Sequence, residues 1–187
     1  MGVTVKLQKE KHFTYADYVE WDDDVRYELI DGVAYALSAP LQVHQRVLRE
    51  LTGLLWTFLK GKKCELFMAP ADVRLSYDTT DDTVVQPDLF VVCDKSKLDG
   101  KACIGAPDLV IEILSPSTAR IDMLKKFHAY LKAEVLEYWI VDPEGKTIDV
   151  FKLENGEYVG SEYIKDAVVK SHVLEGCEIK LVDVFEE

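Results

Sequence analysis

The chain lacks most of the features by which a sequence declares its class at once. Nowhere in its 187 residues is there an uninterrupted apolar run of the length a membrane helix needs, roughly 18 residues. The opening stretch, Met1 to Glu10, has no apolar core of the kind a secretory signal carries. Four cysteines are scattered at Cys64, Cys93, Cys103 and Cys177, with no Cys-x-x-Cys pair. That scatter argues against a structural zinc site or a disulfide framework and makes a reducing cytoplasm the expected compartment. Positive charge is short as well: 22 Lys and Arg against 34 Asp and Glu leave a net charge of −12. A general basic face for nucleic-acid phosphates is therefore not expected. Basic residues gather only locally, at Lys60, Lys62 and Lys63, at Lys95, Lys97 and Lys101, and at Lys125, Lys126 and Lys132. Each group reads most simply as a solvated face. There is no Gly-x-x-x-x-Gly-Lys phosphate loop, no His-Glu-x-x-His zinc helix and no Gly-x-Ser-x-Gly nucleophile elbow. Repeats, low-complexity stretches and linkers are missing too, so residues 1–187 are expected to form one domain.

What is present suits a globular core, since 48% of the residues are hydrophobic at a length that can bury them. Thr14 is a plausible N-cap for a short helix from Tyr15 to Trp21. Arg26 to Ile30, Asp31-Gly32 and Val33 to Leu37 form the strongest hairpin signal in the chain. From Leu41 to Leu59 the spacing of Val43, Val47, Leu48, Leu51, Leu54, Leu55, Phe58 and Leu59 predicts an amphipathic helix, stopped at Gly61. Strands follow at Cys64–Met68 and Asp72–Tyr77, split by Ala69-Pro70. Residues 78–83 read as a surface loop. A second helix is expected over Ala119–Ala133, with Leu124, Phe127, His128 and Leu131 inward and a capping turn at Ser115-Pro116-Ser117-Thr118. Glu137–Val141 reads as a buried strand, Thr147–Phe151 as its neighbour, and Asn155-Gly156 as a turn into Tyr158–Ile164. The tail from His172 to Phe185 is apolar but ambiguous. Strand, helix and strand from Asp108 to Val141 suggest a crossover with the two strands parallel, hence a mixed sheet with helices packed on it.

Gln86 to Leu114 is the most informative stretch. It holds two short β-branched and aromatic runs, Gln86-Pro87-Asp88-Leu-Phe-Val-Val and Asp108-Leu-Val-Ile-Glu112-Ile-Leu114, around a long polar loop. If they pair antiparallel, the simplest register opposes residues whose numbers sum to about 200, and Asp88 then faces Glu112. Opposed side chains of such a pair hold their Cβ atoms about 4.5–5.5 Å apart, where like charges repel. Two carboxylates so placed need a proton, a basic partner or a cation between them. A divalent cation is the preferred answer. Alternation puts Leu109, Ile111 and Ile113 on one face and Val110, Glu112 and Leu114 on the other.

The ordered set Tyr27-Glu28-Leu29-Ile30-Asp31-Gly32, His44-Gln45, Pro87-Asp88, Glu112 with Leu114-Ser115-Pro116-Ser117, Asp122, Lys126, Tyr130 and Glu137-Tyr138-Trp139 resembles a restriction-endonuclease-like family of uncharacterised bacterial proteins within the PD-(D/E)XK nuclease superfamily. The resemblance implies an α/β fold: a restriction-endonuclease-like core with a mixed β-sheet flanked by helices, preceded by an N-terminal β-hairpin. It implies a Mg²⁺-dependent endonuclease acting on DNA, with Mn²⁺ able to substitute, and with Asp88 and Glu112 as metal ligands. The superfamily's lysine belongs two residues after the glutamate, and that position is Leu114. Lys126 therefore becomes the residue expected to orient or activate the attacking water, with Lys125 as the alternative. On a helix Asp122, Lys126 and Tyr130 share one stripe, away from Leu124, Phe127 and Leu131, which leaves an exposed salt bridge as the plainer account of Lys126. Glu28 and His44 are candidates for a third ligand or an outer-shell group, against the plainer readings of an exposed strand residue and a surface histidine. By analogy with nucleases that cut two strands, a homodimer is expected.

Two other classes stay open at this point. A catalytically degenerate module that keeps the fold to bind nucleic acid or protein fits the acidic charge and Leu114. Glycoside hydrolysis by paired carboxylates fits the short spacing, since retaining enzymes hold theirs about 5–5.5 Å apart, but no aromatic-lined sugar cleft is apparent.

Overall fold

Asp31 and Gly32 both take positive φ, 49° and 75°, as a two-residue turn of the hairpin type demands. They join the first two strands in the register Ile30↔Val33 through Tyr27↔Ala36. The structure, a computed structural model, describes residues 11–22, 24–76, 80–115 and 121–185, of which 121 and 122 by their backbone alone. In chain order its elements are α1 (Tyr15–Tyr18), β1 (Tyr27–Ile30), β2 (Val33–Ala36), α2 (Gln42–Leu59), β3 (Glu65–Met68), β4 (Asp72–Arg74), β5 (Val84–Val85), β6 (Leu89–Val92), β7 (Ala102–Ile104), β8 (Leu109–Ile113), α3 (Ile121–Lys132), β9 (Glu137–Asp142), β10 (Thr147–Glu154), β11 (Glu157–Ile164), β12 (Val168–Lys170), β13 (Glu178–Lys180) and α4 (Leu181–Phe185).

The main sheet has the order β11-β10-β9-β8-β6-β3, and a second has the order β2-β1-β5-β4-β7. Within the main sheet β8 and β9 run parallel around the α3 crossover, while the other neighbours are antiparallel. The sheet is therefore mixed, as expected. One of its faces buries Leu109, Ile111 and Ile113 against Val47, Leu51, Leu55 and Leu59 of α2 and against the C-terminal β12-β13-α4 unit. On the other face Val110, Tyr138 and Ile140 meet Tyr130 of α3 and Val73 and Val85 of the second sheet. Two cores thus lie back to back across one sheet. β8 feeds both, by the alternation read from its sequence.

Several expectations are corrected. α1 stops at Tyr18 rather than Trp21, although Thr14 caps it as foreseen, with its hydroxyl accepting from the Asp17 amide. Val43, expected inward, is exposed, and so are Leu124, at 60%, and His128. Phe127 is inward as expected, but α3 also turns Met123, Lys126 and Tyr130 toward the protein, because the second sheet rather than solvent lies over that stripe. Asp82 and Thr83 are buried rather than part of a surface loop. The polar loop after β6 contains β7, and the ambiguous tail resolves into β13 and α4. The turn residues Pro116, Ser117 and Thr118 and the side chain of Asp122 lie outside the described residues. One disulfide, Cys64–Cys93, is present where none was expected. Its cause is long-range: β3 and β6 pair as Glu65↔Val92, so the flanking cysteines fall opposite each other with Cα atoms 3.9 Å apart. Cys103 and Cys177 are free and buried.

Candidate active site

The β6–β8 register, Leu89↔Ile111 through Val91↔Leu109, sums to 200 at every pair, and one step further along it sets Asp88 against Glu112. Each carboxylate has a different set of partners. Asp88 Oδ2 accepts from the Ile113 amide at 2.8 Å and from His44 Nε2 at 3.1 Å. Glu112 Oε1 accepts from Tyr130 Oη at 2.6 Å and Lys126 Nζ at 2.9 Å. Lys126 Nζ also lies 2.8 Å from Glu28 Oε1, and that same oxygen accepts from the Gln86 amide at 2.7 Å. Four elements converge here: β1 supplies Glu28, α2 His44, β8 Glu112 and α3 both Lys126 and Tyr130, with Asp88 just ahead of β6. Asp88, Glu112, Glu28, His44 and Lys126 all line one cleft of about 170 Å³.

Burial sets the electrostatics. Glu28 is 2% exposed and His44 6%, so neither is the surface residue of the plainer reading. Removal from water pushes the Glu112 carboxyl up to about 7, and Asp88 and Glu28 push it further the same way, while Lys126 and Tyr130 oppose them. Burial alone would lower the Lys126 pKa, but Glu112 and Glu28 outweigh it and hold the ammonium charged far above its ordinary range. The Tyr130 hydroxyl is raised by burial and by the same two glutamates, so it stays protonated and donates. Lys126 is therefore no exposed salt bridge. Lys125, the alternative, instead donates to Tyr35 Oη at 2.6 Å.

Among the described residues, the hydrogen bonds to Asp88 both land on Oδ2 and those to Glu112 both on Oε1. Asp88 Oδ1 and Glu112 Oε2 are the oxygens left to face an ion. No three His, Cys, Asp or Glu side chains among the described residues make a ready cage for a metal. That donor set fits Mg²⁺, which takes one or two carboxylates and keeps several waters, better than it fits zinc. Among the described residues, two buried polar atoms of cleft-lining side chains, His44 Nδ1 and Gln86 Oε1, lack a hydrogen-bond partner. A water-rich ion is the kind of guest that would satisfy them.

Residues 15–182 match the Uma2 family, described as putative restriction endonucleases. The chain belongs to the Uma2 family. A crystal structure of a putative nuclease from Anabaena variabilis superposes with a TM-score of 0.77 at 21% identity, over 92% of this chain and 97% of that one. That likeness shows the restriction-endonuclease-like α/β fold. Two uncharacterised Synechocystis proteins are also similar. The protein slr1290 is 29% identical across 79% of this chain and 78% of its own length. The protein sll1609 is 26% identical across 71% and 76%. Uma2 membership places the chain in a nuclease-type family, whose substrates are nucleic acids. Among the described residues, no helix is long and apolar enough to cross a membrane. Two residues of this Uma2 site are not predicted from the sequence: Tyr130, buried behind the cleft against Glu112, whose signal is its spacing of four from Lys126, and Gln86, which lines the cleft and whose signal is an amide side chain between buried Val85 and Asp88.

Proposed function

We propose that the protein is a Mg²⁺-dependent endonuclease that hydrolyses phosphodiester bonds of DNA, with Asp88 and Glu112 as the metal ligands. The observation that carries this is Lys126 Nζ at 2.8 and 2.9 Å from Glu28 and Glu112 on the wall that also presents Asp88. A charged amine there meets the need that Leu114 leaves open. The bound ion would lower the pKa of its water and stabilise charge on the scissile phosphate. Lys126 orients the attacking water and adds positive charge beside the phosphate oxygens. Glu28 holds the Lys126 ammonium from the second sheet, and Tyr130 restricts the Glu112 carboxylate to one rotamer. His44 Nε2 and the Ile113 amide hold Asp88 through Oδ2, which leaves Oδ1 for the ion. With a net charge of −12, phosphate attraction has to be local to this centre. Two copies would serve the two strands of a duplex.

Plasmid cleavage with Mg²⁺ or Mn²⁺, with and without EDTA, tests the reading. Asp88→Ala and Glu112→Ala are expected to abolish cutting while leaving the fold; equal cutting by both would end the proposal. The closed ion pairs of Lys126 favour a second reading, a degenerate module that binds nucleic acid or protein, because glutamates already paired with an ammonium can stay buried without an ion. Calorimetry separates the two: the nuclease takes up Mn²⁺ through Asp88 and Glu112, and the degenerate module does not.

A further inference from the structure

Gln86 is tied to the cleft by an arrangement that its main-chain bond to Glu28 does not require. Its Nε2 donates to Tyr18 Oη at 3.0 Å and to Asp72 Oδ1 at 3.0 Å, and Tyr18 Oη donates to the same Asp72 oxygen at 3.0 Å. An amide nitrogen has two protons, and both are spent. Asp72 accepts only, so it dictates which end of the amide faces it, and the carbonyl must face the other way. Burial raises the Tyr18 pKa, and Asp72 raises it further, which keeps its hydroxyl a donor in this triangle. The result is a buried carbonyl oxygen, Gln86 Oε1, with no partner among the described residues, on a residue that lines the cleft. Leaving such an acceptor bare is unfavourable, so a triangle that enforces it implies a donor that arrives later.

His44 supplies an independent second case. Its Nε2 proton points at Asp88, so Nδ1 is left as the other buried atom without a partner in this cleft. Neither atom is a carboxylate, and both belong to residues that line the cleft holding Asp88 and Glu112.

We propose that Gln86 Oε1 is an outer-sphere acceptor for water carried by the divalent ion, held in orientation by Asp72 and Tyr18. This deepens the metal-dependent reading and rests on it. Calorimetric Mn²⁺ titration of the full chain tests it, with thermal midpoints recorded for every variant. Gln86→Met fills the space without an acceptor and is expected to weaken Mn²⁺ binding on the order of tenfold, the usual effect of losing an outer-shell partner. Asp72→Asn, which lets the amide turn over, should weaken it in the same direction. Gln86→Glu restores an oxygen and should bind more tightly than Gln86→Met. Parental Mn²⁺ affinity in Gln86→Met and Asp72→Asn, whatever their thermal midpoints, would overturn the inference alone. Mn²⁺ uptake by the parent that survives Asp88→Ala and Glu112→Ala would overturn it together with the metal-site assignment.

Discussion

Lys126 Nζ donates to Glu112 Oε1 across 2.9 Å, and it reaches the glutamate from α3 rather than from the strand that carries it. A lysine two residues along β8 would share the glutamate's face of the sheet; Leu114 takes that place and packs against the core on that side instead. The amine arrives one crossover later, opposite Glu28 of the second sheet. Three separate parts of the chain therefore have to be in place before the charge is balanced.

Removing that amine should be expensive twice over. Lys126→Met leaves Glu28 and Glu112 buried without their shared cation, a kind of change that costs ~3–5 kcal/mol. A urea midpoint well below the parent's is expected, with loss of cleavage. Adding Glu112→Gln should recover part of the stability but none of the activity. Full stability in the single variant would mean that the ion pairs are not formed in solution.

Metal removal gives the complementary outcome. EDTA should stop cleavage with no collapse of the fold, because Lys126 already pairs with both glutamates from within. Mg²⁺ or Mn²⁺ added back should restore cutting. Unfolding on chelation, followed by circular dichroism, would contradict this.

Glu137 is fully buried and serves structure rather than chemistry. Its carboxylate accepts from Trp139 Nε1 at 2.7 Å, Ser171 Oγ at 2.9 Å, and the amides of His172 at 2.7 Å and Val173 at 2.8 Å. Glu137→Ala would orphan all four donors and loosen the segment that leads into β13. A loss of about 3 kcal/mol or more is expected. Hydrogen exchange at 172–173 should quicken, and Glu137→Gln should do less harm.

The free cysteines set an alkaline limit. Burial pushes the Cys103 and Cys177 thiols up to about 11, from an ordinary 9. A group raised in the folded state adds stability below its unfolded pKa and loses it as pH climbs through the folded one. The contribution is thus whole below pH 9 and fades from 9 toward 11. Guanidinium midpoints for the parent should fall more steeply over that window than those of a Cys103→Ala, Cys177→Ala double variant; parallel curves would refute it.

Local pattern by itself determined the elements whose causes are local. Asp31-Gly32 turns because those residues accept positive φ, α2 follows from its apolar spacing, and the β6–β8 register follows from two apolar runs that must share one sheet. That register alone set Asp88 against Glu112. What only the tertiary structure decided depends on partners distant in sequence. Which stripe of α3 is inward could not be read from its apolar residues, because the stripe holding Lys126 and Tyr130 is covered by β1 and its sheet. The burial of Glu28 and His44, the Cys64–Cys93 pair and the Asp72–Gln86–Tyr18 triangle have the same origin. A charge or an amide is placed inside only when its counterpart is brought to it, and that counterpart is not written in its neighbours.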